Sequence, residues 1–290
     1  MEESTPKKRF FKMRHALLLA VIAALGTGYL IYPKTSSAKP PLGKRWNKNQ
    51  RVSMDKIDHA PFDALLQKYV DNDGYVDYKS WKSSRRDHGA LQNYLAQLSR
   101  GDRGFRASKE GQIAFWINAY NAVTLEGIMQ VYPTSSIRKH TSKAFGYNIW
   151  KNLPLIVGDQ QYSLNDMEHK ILRKMNEPRI HFAIVCASVG CPRLMNHAYT
   201  AKDLDKQLAI NAKDFFSRKQ NFQANAGQQT IYVSSILDWF GSDFGSSQSA
   251  RFRYLKEYLP RDAQELATSS RTRVKFLDYN WNLNDQSKKR

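Results

Sequence analysis

Two cysteines, Cys186 and Cys191, are the only sulfur nucleophiles in a chain of 290 residues, and much that would give them an obvious partner is missing. There is no paired CxxC, no HExxH and no zinc-finger spacing, so neither the four ligands of a structural zinc nor the three of a catalytic one are in place. His169, His181 and His197 are scattered along the chain without a spacing that would assemble them; no metal and no cofactor is expected. The acidic stretch DNDGYVDY at 71–78 fails as a calcium loop: counting from Asp71, Val76 stands where the turn glycine belongs and Lys82 where the bidentate glutamate belongs. An ordinary turn at Asp73–Gly74 leading into a short strand is the expectation. No long Lys/Arg block and no RNA-binding signature occurs, which argues against a dedicated sequence-specific nucleic-acid reader. No internal repeat or low-complexity tract occurs either, which leaves a solenoid without support.

What the chain does contain is ample apolar material and a large positive charge. Apolar residues make up 41% and aromatics 12%, enough to fill a sizeable core. The net charge is +19. Residues 1–38 hold only six of the 45 Lys/Arg, so the excess belongs to the body as well, spread over pieces such as Arg85–Arg86 and Arg173–Lys174. Such a surface serves solubility and is drawn to anionic envelope components or a membrane surface. At the N-terminus KKRFFKMRH precedes seventeen uncharged, mostly apolar residues, Ala16–Tyr32. A basic flank before an apolar run is an export signal oriented by the positive-inside rule. The body is therefore expected outside the cytoplasm (periplasmic), either anchored in the inner membrane by residues 16–32 or released after cleavage near Ala38.

Three divisions follow: 1–38 as export signal or membrane anchor, 39–60 as a basic, proline-containing tether, and 61–290 as a single globular α+β domain. Asp63–Val70 and Leu91–Leu98 are amphipathic at helical spacing. The strongest helix runs from an N-cap at Ser108 to a stop at Pro133, and its apolar residues cover so much of its circumference that it should be central. Asn118 and Asn121 lie three apart on one face of it; they are either a structural polar knot or amides facing a cleft. Ser163–Lys174 carries a capping box, Ser163 with Asp166. RIHFAIVC is expected to be a buried strand, Leu204–Phe216 a helix, TIYVSS a strand, Phe252–Tyr258 a helix and RVKFLDYNW a closing strand. The fold class is α+β: a helix-rich single domain with a small sheet packed against a buried central helix.

HFAIVCASVGCP, His181–Pro192, is the chemically informative segment. A disulfide is one reading, with Ser188-Val189-Gly190 as the reversal that brings both cysteines together. The other is a thiol site, with Cys186 as nucleophile at a strand end and the N–H groups of the CASVG turn facing a substrate oxyanion. The thiol then needs a base. His181, five residues away along a strand, would lie about 17 Å off and on the opposite face. His169 on the preceding helix is preferred, with Glu168 or Asn118 orienting.

AFWINAYNAVTLEGI, SLNDMEH-x-ILR, RIHFAIVCASVGCP-x-L, the WF-x-x-DF run at 239–244 and the ending FLDYNWNLN occur together and in this order. The combination resembles the domain-of-unknown-function family 547 of bacteria and plants, from about Tyr75 to Asn284. The resemblance maps the motif positions onto Trp116, Asn118, Tyr120, Asn121, Glu168, His169, His181, Cys186, Cys191 and Pro192. It also implies serine in place of the second cysteine in plant members, which favours Cys186 as the chemical residue over an obligatory disulfide. The leading expectation is a thiol-dependent hydrolase or transferase acting on an acyl or peptide bond of a small-molecule or peptide substrate in the cell envelope. Its rivals are a non-catalytic binding or adaptor module stapled by Cys186–Cys191, and a basic adaptor at a membrane surface.

Overall fold

The structure is a computed structural model and describes residues 39–142 and 147–289. The apolar run at 16–32 and the cleavage position near Ala38 lie outside the described residues. Among the described residues no helix is long and apolar enough to cross a membrane.

The central helix spans Lys109–Val131, opened by the Ser108 hydroxyl accepting the Gly111 N–H at 3.0 Å. From Ile113 to Met129 every residue is buried, because the helix is enclosed on several sides. The helix Arg85–Leu98 lies against it, and so does an irregular helical stretch over residues 164–175. Strands β1 (Leu155–Val157) and β2 (Gln160–Tyr162) form an antiparallel hairpin, and Tyr162 meets the Trp116 ring edge-on at 4.9 Å. Gly127 permits the closest approach: a Cβ there would come within 2.7 Å of Ile149 and 2.9 Å of Leu153. One charge sits inside this apolar shell, Glu126, held by His88 Nε2 at 2.8 Å and by the Gln130 amide at 2.9 Å. Pro133 ends the helix two residues after Val131, since the residue before a proline is driven out of the α region.

The two asparagines of this helix are the structural knot. Asn121 accepts the Val185 N–H and donates to the Ala183 carbonyl, both at 3.0 Å. Asn118 does the same one turn earlier, accepting the Tyr199 N–H at 2.9 Å and donating to the Tyr199 carbonyl at 2.8 Å. Each amide offers one donor and one acceptor side by side, the pattern a neighbouring strand would present. That is why RIHFAIVC is not the strand its apolar, β-rich composition predicts. It forms a 3₁₀ turn, Pro178–Phe182, whose Ile180 carbonyl also takes the Ala183 and Ile184 N–H groups, and side-chain amides satisfy further backbone groups of the irregular chain, with Asn211 donating to the Phe182 carbonyl at 2.7 Å.

A second sheet lies apart from the central helix. Strand β3 (Phe222–Asn225) pairs antiparallel with β4 (Thr230–Ser234), which pairs parallel with β5 (Arg273–Leu277). With the helices Leu204–Ser217 and Gln248–Leu255 it encloses a phenylalanine-rich cluster that includes Phe182, Phe215, Phe216 and Phe252. The molecule is thus helix-rich α+β with small sheets. Residues 39–60, expected to be a tether, lie along the domain. Leu42 bridges Leu155, Trp46 donates its indole N–H to the Ala96 carbonyl at 2.8 Å, and Met54 is buried. Its scattered apolar residues anchor it, and short 3₁₀ turns form at Lys48–Gln50 and Met54–Lys56. YVDY shrinks to single bridges at Val76, because Asp77 caps a helix, Tyr78–Ser83, instead.

Replacing Asn121 with alanine should leave the Ala183 carbonyl and the Val185 N–H buried without partners, at about 1–3 kcal/mol each. Denaturant unfolding of Asn121→Ala is therefore expected to show a loss of about 2–6 kcal/mol. A loss below about 1 kcal/mol would contradict the clamp.

Candidate active site

Beyond the Asn121 clamp the chain turns sharply. Ala187 takes φ 58°, a left-handed conformation that costs a residue with a Cβ about 1–2 kcal/mol. Such a cost persists only where surrounding contacts hold it. Here they come from the C-terminal segment: Val189 N–H donates to the Asn282 carbonyl and Gly190 N–H to the Asn280 carbonyl, both at 2.8 Å, and Asn284 N–H returns to the Ala187 carbonyl at 3.2 Å. Gly190 is needed there, since a Cβ would lie 2.9 Å from the Asn280 nitrogen. Cys191 N–H closes the turn on the Ser188 carbonyl at 3.0 Å. The N–H groups of Val189, Gly190 and Cys191 are thereby committed to the fold, and the oxyanion-binding turn expected from CASVG is not formed by those three.

The pairing delivers Tyr279 and both sulfurs to one point. Both cysteines are free thiols, Cys186 half-buried and Cys191 buried, with Sγ atoms 2.7 Å apart. The Tyr279 hydroxyl lies 3.2 Å from Cys186 Sγ and 3.0 Å from Cys191 Sγ. The Ser188 hydroxyl is 3.5 Å from Cys186 Sγ, and the Cys186 N–H donates to Cys191 Sγ at 3.0 Å. Contact with Cys191, then with Tyr279 and Ser188, holds the Cys186 thiol below its ordinary value, against burial and the nearby Glu168. Burial drives Cys191 the other way, well above its ordinary value, and the adjoining Cys186 adds to it. The two sulfurs are therefore unequal: one is inclined to ionise, the other to stay protonated.

Glu168 and His169 reach the same cleft from the irregular helix over 164–175. Its capping box forms as expected, with Ser163 accepting the Asp166 N–H and Asp166 accepting the Ser163 N–H. Its second turn, Met167–Ile171, then widens into a π turn, a local irregularity common at functional sites. Burial raises the Glu168 carboxyl to about 7, offset only in part by the Tyr120 hydroxyl at 3.3 Å and the charge of Arg173. Arg173 lies 3.2 Å from His169 Nδ1. A guanidinium can only donate, so Nδ1 accepts and the proton of the neutral ring sits on Nε2. Burial, then Arg173, lowers the affinity of this imidazole for a second proton. His169 is thus arranged as a hydrogen-bond donor, not as the base expected of it.

His181 also lines the cleft, because the segment before Cys186 is not a strand and the separation assumed for one does not apply. Its Nε2 lies 2.8 Å from Asp243, which also takes both prongs of the Arg173 guanidinium at 2.6 and 2.7 Å. Arg173 chiefly holds Asp243 down at about 2. Burial lowers His181 to about 4 in spite of that partner, so at neutral pH the ring is uncharged and donates to Asp243. The cleft encloses about 310 Å³, within the small-molecule range. Trp150, Trp239, Phe240 and Trp281 form much of its wall. Trp239 is 45% exposed and stacks on Trp281 at 5.8 Å.

Cys186, His169 and Glu168 are therefore brought together. Asn118 is not: it is spent on Tyr199 and does not line the cleft, because a buried amide bonded to two backbone groups has nothing left to offer a ligand. His181 was set aside as a base on strand geometry, and Tyr120, Arg173, Asp243 and Tyr279 were given no chemical role from the sequence. The signal for the last two was the repetition of aromatic and acidic residues in WF-x-x-DF and FLDYNW. Among the described residues no group of three or more His, Cys, Asp or Glu could hold a metal ion. Residues 106–216 match the family described as "Protein of unknown function, DUF547", a stretch that includes both cysteines, Glu168, His169 and His181 but not Asp243, Tyr279 or two of the three tryptophans of the wall. No curated protein and no solved structure matches the chain.

A carboxyl raised from 4.5 to about 7 on folding favours the folded state fully while it is protonated in both states, below about 4.5. That contribution is lost as pH rises through about 7. Glu168→Gln should accordingly match the wild type in stability near pH 4. Above pH 8 it should exceed it by on the order of 1–3 kcal/mol. Denaturant titrations at the two pH values check this, and an unchanged difference would contradict the burial of Glu168.

Proposed function

We propose that the chain, whose residues 106–216 match the family of unknown function DUF547, is a thiol-dependent hydrolase or transferase acting on acyl or peptide bonds. The observation that carries this reading is the meeting of Cys186 Sγ, its hydroxyl and thiol neighbours, and Glu168 in one small cleft. Cys186 is the nucleophile: its thiolate attacks the carbonyl carbon and displaces the leaving group, giving an acyl-enzyme that water or a second acceptor resolves. Glu168, near half-ionised at neutral pH, is the proton acceptor for the thiol and the donor to the leaving group. His169 Nε2–H and the Tyr279 hydroxyl are the candidate donors to the developing oxyanion. The aromatic wall suits the apolar portion of the substrate.

The setting we propose is extracytoplasmic. Its support is the basic flank and apolar run at 7–32 together with the basic body, which would favour anionic envelope substrates. The closeness of the two sulfurs favours one rival, a non-catalytic module stapled by a Cys186–Cys191 bond. Intact mass before and after reduction separates the two, since only a closed pair gains two hydrogens.

Iodoacetamide should alkylate Cys186 in the reduced native protein much faster than Cys191. Hydrolysis of a small activated ester should be lost in Cys186→Ala. The wild-type rate should climb as pH rises through about 7, as Glu168 becomes able to accept a proton, and Glu168→Gln should cost on the order of 10²-fold. Ester hydrolysis in Cys186→Ala equal to that of the wild type would sink the mechanism.

A further inference from the structure

The second cysteine is not required for acyl transfer, yet it shares the cleft. Cys186 and Cys191 both line the cavity, and their Sγ atoms stand 2.7 Å apart, so little movement separates them from a bond of about 2.0 Å. The turn between them is tied to residues 280–284 by backbone hydrogen bonds on either side of Gly190. The pair is therefore held in register whether its sulfurs are joined or not. A structural staple has no need to open onto a cavity, whereas a working dithiol must.

We propose that the cleft has a second activity, the reduction of a small-molecule or peptide disulfide, with Cys186 as the attacking thiol and Cys191 as the resolving one. In the first step the Cys186 thiolate attacks one sulfur of R–S–S–R′. The Cys186–S–S–R bond forms, the S–S bond of the substrate breaks, and R′–S⁻ leaves and takes up a proton. In the second step Cys191 loses its proton and attacks Cys186 Sγ, which forms the Cys186–Cys191 disulfide and releases R–S⁻. Two electrons pass from the dithiol to the substrate in this half-reaction, and an external dithiol must reduce the Cys186–Cys191 bond by the same exchange before a second round.

The inequality of the two sulfurs suits this order. Both line the cleft, but Cys186 is half-buried and Cys191 is buried, so the more exposed sulfur is the one to meet a bulky disulfide first. While Cys186 carries a negative charge it opposes ionisation of Cys191. Once Cys186 is capped as a mixed disulfide, that opposition is gone, and Cys191 becomes the better nucleophile when it is needed. Glu168 is the carboxylate in the same cleft able to take up its proton. The Tyr279 hydroxyl, within hydrogen-bonding reach of both sulfurs, can follow the charge from one to the other.

The test uses the reduced full-length protein and excess oxidised glutathione without oxygen, quenched with acid at intervals and read by intact mass. The wild type should lose two hydrogens, release two equivalents of reduced glutathione and show at most a transient adduct. Cys191→Ser should stop at a stable adduct of one glutathionyl group on Cys186. Cys186→Ser should acquire an adduct at least tenfold more slowly. A wild type that stays reduced, a wild-type adduct that persists, or a Cys191→Ser protein that never accumulates one would each overturn the proposal. The time course of the wild type alone decides the matter should either variant misfold. Failure here with Cys186 still alkylated by iodoacetamide would remove the disulfide activity and leave the acyl reading standing.

Discussion

A single carboxamide, that of Asn121, sets the position of everything on the cleft. It reaches sideways from a helix buried on every face and supplies the Val185 N–H with an acceptor and the Ala183 carbonyl with a donor. Without it an apolar segment would enter the core with unpaired backbone groups, an arrangement that proteins avoid. With it the chain crosses the core as irregular backbone that needs no sheet and leaves the clamp one residue before Cys186. The left-handed Ala187 and the pairing of 187–190 with 280–284 then follow, and they bring Tyr279 against the two sulfurs. Scaffold and site are therefore one network. A change at the helix propagates to the nucleophile through two hydrogen bonds.

Electrostatics in the cleft is governed by loss of water rather than by net charge. The protein carries +19 overall, yet the acids and thiols of the site are set by burial and by immediate neighbours. Glu168 is raised because its charge would be poorly solvated, and His181 stays neutral for the same reason despite its contact with Asp243. Asp243 escapes this because the Arg173 guanidinium grips both its oxygens, the bidentate geometry in which ion pairs are strongest. Through Arg173 that carboxylate also fixes which nitrogen of His169 carries the proton. A line of fixed donors and acceptors thus runs from His181 through Asp243 and Arg173 to His169. It assigns each imidazole a role before any ligand arrives.

Most helices were legible from the sequence, because caps and periodicity are local. Ser108, the long apolar run and Pro133 delimit the central helix, and Ser163 with Asp166 opens the irregular one. The fate of RIHFAIVC was not legible, since apolar and β-branched residues only report that a segment wants burial. Whether a strand or an asparagine satisfies its backbone depends on residues sixty positions away. The same limit applied to the site. Cys186, His169 and Glu168 were singled out by their chemistry and line one cleft, but the tautomer of His169 is set by Arg173 and the neutrality of His181 by burial. Asn118 was suspected of facing a cleft because spacing shows which face an amide is on, not what already occupies it.

The central claim is that the fold makes two adjacent thiols unequal, Cys186 ionising early and Cys191 late. The most direct measurement is a titration of the reduced protein with ¹³C-labelled cysteine Cβ groups, followed by NMR over the alkaline range. The account predicts a first transition, below the ordinary thiol value, in the Cβ of Cys186, and one well above that value in the Cβ of Cys191. Two coincident transitions, or Cys191 ionising first, would contradict it.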